Sequence, residues 1–239
     1  MNTMKKMKKF LAIVLLTGIV GCKKDLLDTS PYSSVSTATM WTTDNLTDLG
    51  VAGIYSSFRL LMGHSGLISP YELYQFDRFS YTGQARFDEP LLTGTITAGD
   101  PLFLNVWKIQ YEGIQRANDA LKNIPIKSPS TAEKKAKYIA EAKFLRAYFY
   151  FRLNQLYKGV PIYLEPFTAA EAIKGRSSEE EVWNQILADL NDCIAESNFP
   201  DRYPAGNANY GHATKAAAYA LRGKVYLYRK DWAKAAADF

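Results

Sequence analysis

Residues 212–239 read HATKAAAYALRGKVYLYRKDWAKAAADF, and within them Tyr219-x-x-Arg222-Gly223-x-x-Tyr226 is followed by Trp232 and then by Ala235-x-x-x-Phe239. A glycine on a helix face carries no Cβ, so a second helix can come close to the backbone there. A small alanine facing a large aromatic lets the two helices interlock. The stretch therefore predicts two antiparallel helices, with Asp231 placed to cap the second.

This spacing nearly matches the tetratricopeptide repeat, with Arg222 where a leucine is usual. One repeat cannot bury its own apolar face, and stacking takes about three units. The chain is accordingly expected to be the N-terminal part of a longer protein. Its predicted fold class is all-α, a tetratricopeptide-type helical repeat scaffold with long irregular loops, truncated before its C-terminal half.

Upstream, the apolar pattern predicts four more helices. In the first, Leu46, Leu49, Gly53, Ile54, Ser57, Phe58 and Leu61 recur at helical spacing, with Thr43 or Asp44 as N-cap and Gly63 as its end. Asp100-Pro101 opens a second, whose face is Phe103, Val106, Trp107, Gln110, Ile114, Ala117 and Leu121, running to about Asn123. Ser130-x-x-Glu133 is a capping box for a third, with Ile139, Ala142, Leu145, Tyr148, Phe149 and Leu156 along it and Gly159 and Pro161 closing it. Tyr148, Phe149, Tyr150 and Tyr157 are expected in the core. Val160 to Pro166 reads as an extended linker. Ser177-x-x-Glu180 opens the fourth helix, which buries Trp183, Ile186, Leu187, Leu190 and Ile194, with Cys193 flanking that face as a packed, inert thiol.

The N-terminus is an export signal. Lys5, Lys6, Lys8 and Lys9 precede an apolar run from Phe10 to Val20, which as a helix spans only about 16 Å, half of a bilayer core of about 30 Å. Ile19-Val20-Gly21-Cys22 follows, an apolar residue three places before a cysteine and a small one beside it. That suits cleavage at residues 1–21 and acylation of Cys22, each buried methylene adding about 0.8 kcal/mol to membrane affinity. Residues 22–40, rich in Ser, Thr and Asp, form the expected lipidated tether, and 41–239 the helical domain.

The formal charge of +5 rests on that leader, which holds four of the 29 basic residues and none of the 24 acidic ones. The mature chain is close to neutral, so nucleic acid is not an expected partner. Once Cys22 is acylated, Cys193 has no disulfide partner. His64 and His212 are far apart and neither lies near a cysteine, which argues against a zinc site, and no cofactor or metal is expected. Asp88-Glu89 is the pair that invites a glycosidase reading, but adjacent side chains point apart, whereas such catalysis sets two carboxyls about 5 to 10 Å apart across one bond. No nucleophile elbow or phosphate loop is present, and no enzymatic activity is expected.

Several blocks recur in a telling order: Gly21-Cys22-Lys23-Lys24-Asp25-Leu26-Leu27-Asp28 with Pro31, Trp41 ahead of Ala52-Gly53-Ile54-Tyr55-Ser56-Ser57, and WKIQYEGIQRANDA at 107–120. EAKFLRAYFY at 141–150, Gly159-Val160-Pro161 and Ala213-Thr214-Lys215-Ala216-Ala217 follow. Together they resemble the SusD/RagB family of nutrient-uptake lipoproteins. The resemblance implies a lipid-anchored protein of the cell outer membrane, facing the cell surface, that captures an oligosaccharide or other nutrient as the lid of a TonB-dependent, SusC-like transporter. The residues alone also allow a second reading, an envelope tetratricopeptide scaffold that binds no nutrient.

Sugar sites stack aromatic rings on pyranose faces and border them with amides, carboxylates or guanidinium groups. The non-helical excursion from 64 to 100 has that mixture, and loops of such length inside a domain are commonly functional. Arg78, Tyr81, Gln84 and Phe87, in its most polar, glycine-containing part, are the predicted ligand contacts.

Overall fold

The computed structural model describes residues 39–58 and 93–239, the side chains of 101 and 102 excepted. The leader, Cys22, the tether up to residue 38, His64, the Asp88-Glu89 pair, and the predicted contacts Arg78, Tyr81, Gln84 and Phe87 lie outside the described residues. Among the described residues the fold is all-helical, as predicted, and Met40–Phe239 forms one compact unit.

Helix α1 (Asp44–Tyr55) starts where Thr43 accepts a hydrogen bond from the Leu46 amide, and it ends at Tyr55, passing into a short 3-10 turn at Ser56–Phe58. It does not run on to Gly63. Its buried side is Thr47, Gly50, Val51 and Ile54, while Leu49 faces outward. The predicted face is rotated because Trp41, in the turn before the helix, lies against Gly50. A Cβ at Gly50 would stand 2.5 Å from the Trp41 ring, and the Trp41 indole N–H donates to Asp119 Oδ2 at 2.9 Å.

Helix α2 (Pro101–Lys127) passes the expected stop at Asn123 and includes Pro125. Ile124 is fully buried, and continuing the helix by one turn keeps it there, at the cost of the one bond that the Pro125 nitrogen cannot donate. Helix α3 (Ala132–Tyr157) is capped by Thr131, not Ser130; Ser130 is already engaged with Ser128 and with the Asp44 carboxylate. Helix α4 (Glu179–Ala195) is capped by a complete box of Ser178 and Glu181, one residue later than predicted, since the Ser177 amide is turned to the Val160 carbonyl. Helices α5 (Lys215–Tyr228) and α6 (Trp232–Asp238) follow, capped by Thr214 and, as predicted, by Asp231.

Helix α3 lies between α2 and α4, α1 packs on α2 and α3, and α5 packs on α4 and carries α6. The α2–α3 contact is close because Gly113 faces the ring of Phe149, 2.4 Å from where a Cβ would stand. Phe149 and Tyr150 are fully buried, and Tyr148 and Tyr157 pack at the edge of the same core, as their spacing implied. Cys193 is buried with Sγ 3.0 Å from the Ala140 and Asp189 carbonyls; burial first, and then the nearby Asp189 charge, push its thiol pKa far up, which keeps it inert.

In the α5–α6 pair, Gly223 lies against the Phe239 ring and Ala235 is buried, the interlock expected of the repeat. Arg222, the departure from the pattern, holds the Asp238 carboxylate with two bonds of 2.7 and 2.6 Å and reaches Asn191 on α4 at 2.8 Å. Substituting the usual residue, Arg222→Leu, is therefore expected to destabilise the domain by about 1–3 kcal/mol, since Asp238 is left buried without its partner. Urea unfolding measures this, and an unchanged midpoint would show the ion pair to be dispensable.

Candidate functional site

The segment between α3 and α4, read from sequence as a linker, is a built structure. Helix α3 ends in two left-handed residues, Lys158 at φ 56° and Gly159 at φ 87°. The Gly159 amide donates to Asn154 Oδ1 at 2.8 Å, and Asn154 Nδ2 in turn donates to the Glu179 carbonyl at 3.0 Å. Beyond this corner the backbone is held by side chains of α2 spaced i, i+4, i+7. Tyr111 Oη donates to the Pro161 carbonyl at 2.7 Å. Gln115 both donates to and accepts from Phe167, each at 3.1 Å. Asn118 Nδ2 donates to the carbonyls of Tyr163 and Glu165. From α3, Tyr150 Oη donates to the Tyr163 carbonyl and accepts from its amide. Side chains here replace the ladder that a second strand would supply, so a non-helical segment can cross the helices with its polar backbone satisfied.

This fastening fixes the outer surface. The rings of Tyr163 and Phe167 stack with centroids 4.1 Å apart and planes 28° apart. They line a depression of about 410 Å³ with Leu164, Glu165, Glu171 and Lys174. Lys174 Nζ donates to the Ile162 carbonyl at 2.8 Å and lies 5.7 Å from the Tyr163 ring centre. Aromatic rings rimmed by carboxylates and an ammonium are the groups that stack on and hydrogen-bond a sugar. Nothing in the sequence pattern marked Tyr163 and Phe167, because neither belongs to a periodic run; the Gly159-Val160-Pro161 stop followed by closely spaced aromatics is the signal that could have found them.

A second concavity, of about 440 Å³, lies between α1, α3 and the segment 196–214. At its inner end Glu141 on α3 is buried, with Oε1 2.5 Å from Tyr55 Oη and 2.7 Å from His212 Nδ1. Tyr55 Oη in turn accepts from the Ala213 amide at 2.7 Å. The hydrogen bond to Glu141, opposed by partial burial, raises the His212 pKa above its ordinary value. Burial, reinforced by the Glu141 charge, raises that of Tyr55 far beyond the usual range, so the phenol stays a donor. Among the described residues there is no group of three His, Cys, Asp or Glu side chains that could hold a metal ion, and no helix long and apolar enough to cross a membrane.

Residues 25–227 match the SusD-like family described as "Starch-binding associating with outer membrane". The chain belongs to the SusD-like family. SusD-like protein P38 of Formosa agariphila is 28% identical over 251 residues, covering 96% of this chain and 44% of its own length. A SusD-like carbohydrate-binding protein of Bacteroides fragilis superposes with a TM-score of 0.72 at 27% identity, covering 84% of this chain and 40% of its own. A laminarin-binding SusD-like protein superposes at 0.69 with 26% identity, covering 83% and 43%. The chain thus spans less than half the length of these SusD-like relatives.

Proposed function

We propose that this SusD-like protein captures an oligosaccharide at the outer membrane, held there by acyl chains on Cys22, and acts as the lid of a TonB-dependent, SusC-like transporter. The observation that carries the reading is the family match over residues 25–227, a family whose description joins starch binding to outer-membrane association. The name of one structural relative, a laminarin-binding protein, supports a glycan as the nutrient. The ligand is taken by Arg78, Tyr81, Gln84 and Phe87, and the protein binds without turnover. In the captured state the apolar faces of sugar rings lie on aromatic side chains, and amide, guanidinium and carboxylate groups bond the hydroxyls.

Titration of the full-length protein with a panel of oligosaccharides tests this. Tyr81→Ala is expected to weaken binding about fivefold to tenfold without lowering thermal stability, the loss of one stacking contact of about 1 kcal/mol. Unchanged affinity would remove Tyr81 from the site, and cleavage of a glycan on prolonged incubation would make the protein an enzyme. On intact cells, protease should reach the domain; full protection would place it on the periplasmic side.

A further inference from the structure

The groove between α1, α3 and segment 196–214 presents hydrogen-bond donors that its own acidic residues leave unmatched. Those acids are taken: Lys134 Nζ pairs with Asp44 at 2.5 Å and Asp48 at 3.1 Å, Asp44 also accepts from Ser130, and Asp48 from the Tyr138 hydroxyl. Buried Glu141 is engaged with Tyr55 and His212. Three donors on the groove wall are not taken by any of the described residues. Lys137 Nζ has no carboxylate partner among them and rests only against the rings of Tyr138 and Tyr203, at 5.7 and 5.6 Å. His212 spends Nδ1 on Glu141, which leaves Nε2, on the opposite edge of the ring, without a hydrogen bond to the described residues. Asn209, one turn before His212, has its backbone carbonyl bonded to the His212 amide and its side-chain amide unbonded within the same set.

These donors are neighbours, since the His212 ring centre is 6.4 Å from the Tyr203 ring that Lys137 covers. The Tyr203 hydroxyl beside them is buried and has no partner among the described residues. Across the groove stand exposed Leu49 and Ala52, an apolar wall. An apolar wall facing convergent donors, in a volume within the range of about 300–1,000 Å³ typical of small-molecule sites, is the form of a binding site.

We propose that this groove binds an acidic sugar residue, with Lys137, Asn209 and His212 Nε2 gripping its carboxylate while the ring's apolar face lies on Leu49 and Ala52. The proposal rests on the glycan-capture reading and narrows its ligand to glycans containing uronate. His212 is suited to the task because the hydrogen bond to Glu141 behind it favours the charged imidazolium, the form that draws an anion to Nε2. The groups facing His212 are Glu141 and Lys137 from α3, Asp48 and Tyr55 from α1, and Tyr203 from its own segment. Of these only Lys137 opposes its charge, and Glu141 outweighs it.

Calorimetric titration of the full-length protein with trigalacturonate, with a neutral trisaccharide and with sodium sulfate tests the proposal. Trigalacturonate is expected to bind, and Lys137→Ala, with its thermal unfolding measured alongside, to weaken it about tenfold or more, the worth of one charge-assisted bond. Asn209→Ala should weaken it less. Affinity should hold at mildly acid pH, while the uronate stays ionised, and fall as pH rises through the elevated His212 pKa. Unchanged trigalacturonate affinity in Lys137→Ala would overturn the proposal, as would sulfate binding as tightly as the uronate, which would make this a general anion site. Binding of the neutral sugar alone overturns it but leaves glycan capture standing; if neither sugar binds, this proposal fails, and the oligosaccharide panel decides glycan capture separately.

Discussion

Replacing Arg146 by alanine is expected to lower the unfolding free energy by about 3–5 kcal/mol, the range for removing one partner of a buried ion pair. Arg146 on α3 and Asp189 on α4 are almost wholly enclosed, with side chains 7% and 3% exposed. The guanidinium meets the carboxylate with both ends, Nε to Oδ2 at 2.8 Å and Nη2 to Oδ1 at 2.7 Å. Its remaining nitrogen donates to Asn118 Oδ1 on α2 at 2.8 Å and to the Leu164 carbonyl at 3.3 Å. Burial works against the arginine's charge, but the bonds and charge of Asp189 outweigh it and hold the group protonated. One side chain thus joins three helices and the segment carrying Tyr163 and Phe167. Removing it strands the Asp189 carboxylate in the core. Lysine cannot replace it, since an ammonium lacks the planar fork. The double variant Arg146→Met, Asp189→Leu should recover much of the loss, because an apolar pair of similar volume strands no charge. Urea unfolding of both variants checks this; an Arg146→Ala loss under about 1 kcal/mol would show the pair to be solvated in practice.

Gly159→Ala is expected to cost about 2–5 kcal/mol, for two separate reasons. At φ 87° an L-residue is strained by about 1–2 kcal/mol. The new methyl would also stand 2.5 Å from the Ser177 carbonyl oxygen and 3.0 Å from the Glu179 amide, backbone atoms at the start of α4 that cannot turn aside, a clash of about 1–3 kcal/mol. Gly211 provides the control. Its φ is 99°, but no atom of the described residues lies within 4 Å of where a Cβ would stand, so Gly211→Ala should show the strain alone. Equal losses at the two positions would mean that the corner at Gly159 can open without cost. A larger loss at Gly159, with faster hydrogen exchange at the Ser177 amide, would confirm that the α3–α4 corner is closed by contact as well as by turn geometry.

Much of the fold was legible because its causes are local. Phe149, Ile186 and Leu190 recur at helical spacing, and the caps at Thr43 and Asp231 act on amides three residues away, so a short window of sequence contains the whole interaction. The Gly223, Ala235 and Phe239 pattern worked for the same reason. The caps of α3 and α4 were each misplaced by one residue. Ser130-Thr131 and Ser177-Ser178 both offer adjacent hydroxyl residues, and the choice between them was made by distant partners, Asp44 for Ser130 and the Val160 carbonyl for the Ser177 amide.

By itself, then, the sequence determined the helical class, the interlock of α5 with α6, and the order of blocks that places the chain in the SusD-like family. Only the tertiary structure decided which way α1 faces, that Arg222 is an ion-pair residue in place of a core leucine, and that buried Glu141 stands behind His212. It alone turned the stretch after Gly159 from a linker into a fastened surface. The physical reason is distance along the chain: periodicity and capping are settled within one or two turns, whereas a buried charge is stabilised by a partner such as Asp189 for Arg146 or His212 for Glu141, 43 and 71 residues away, which only packing brings into reach.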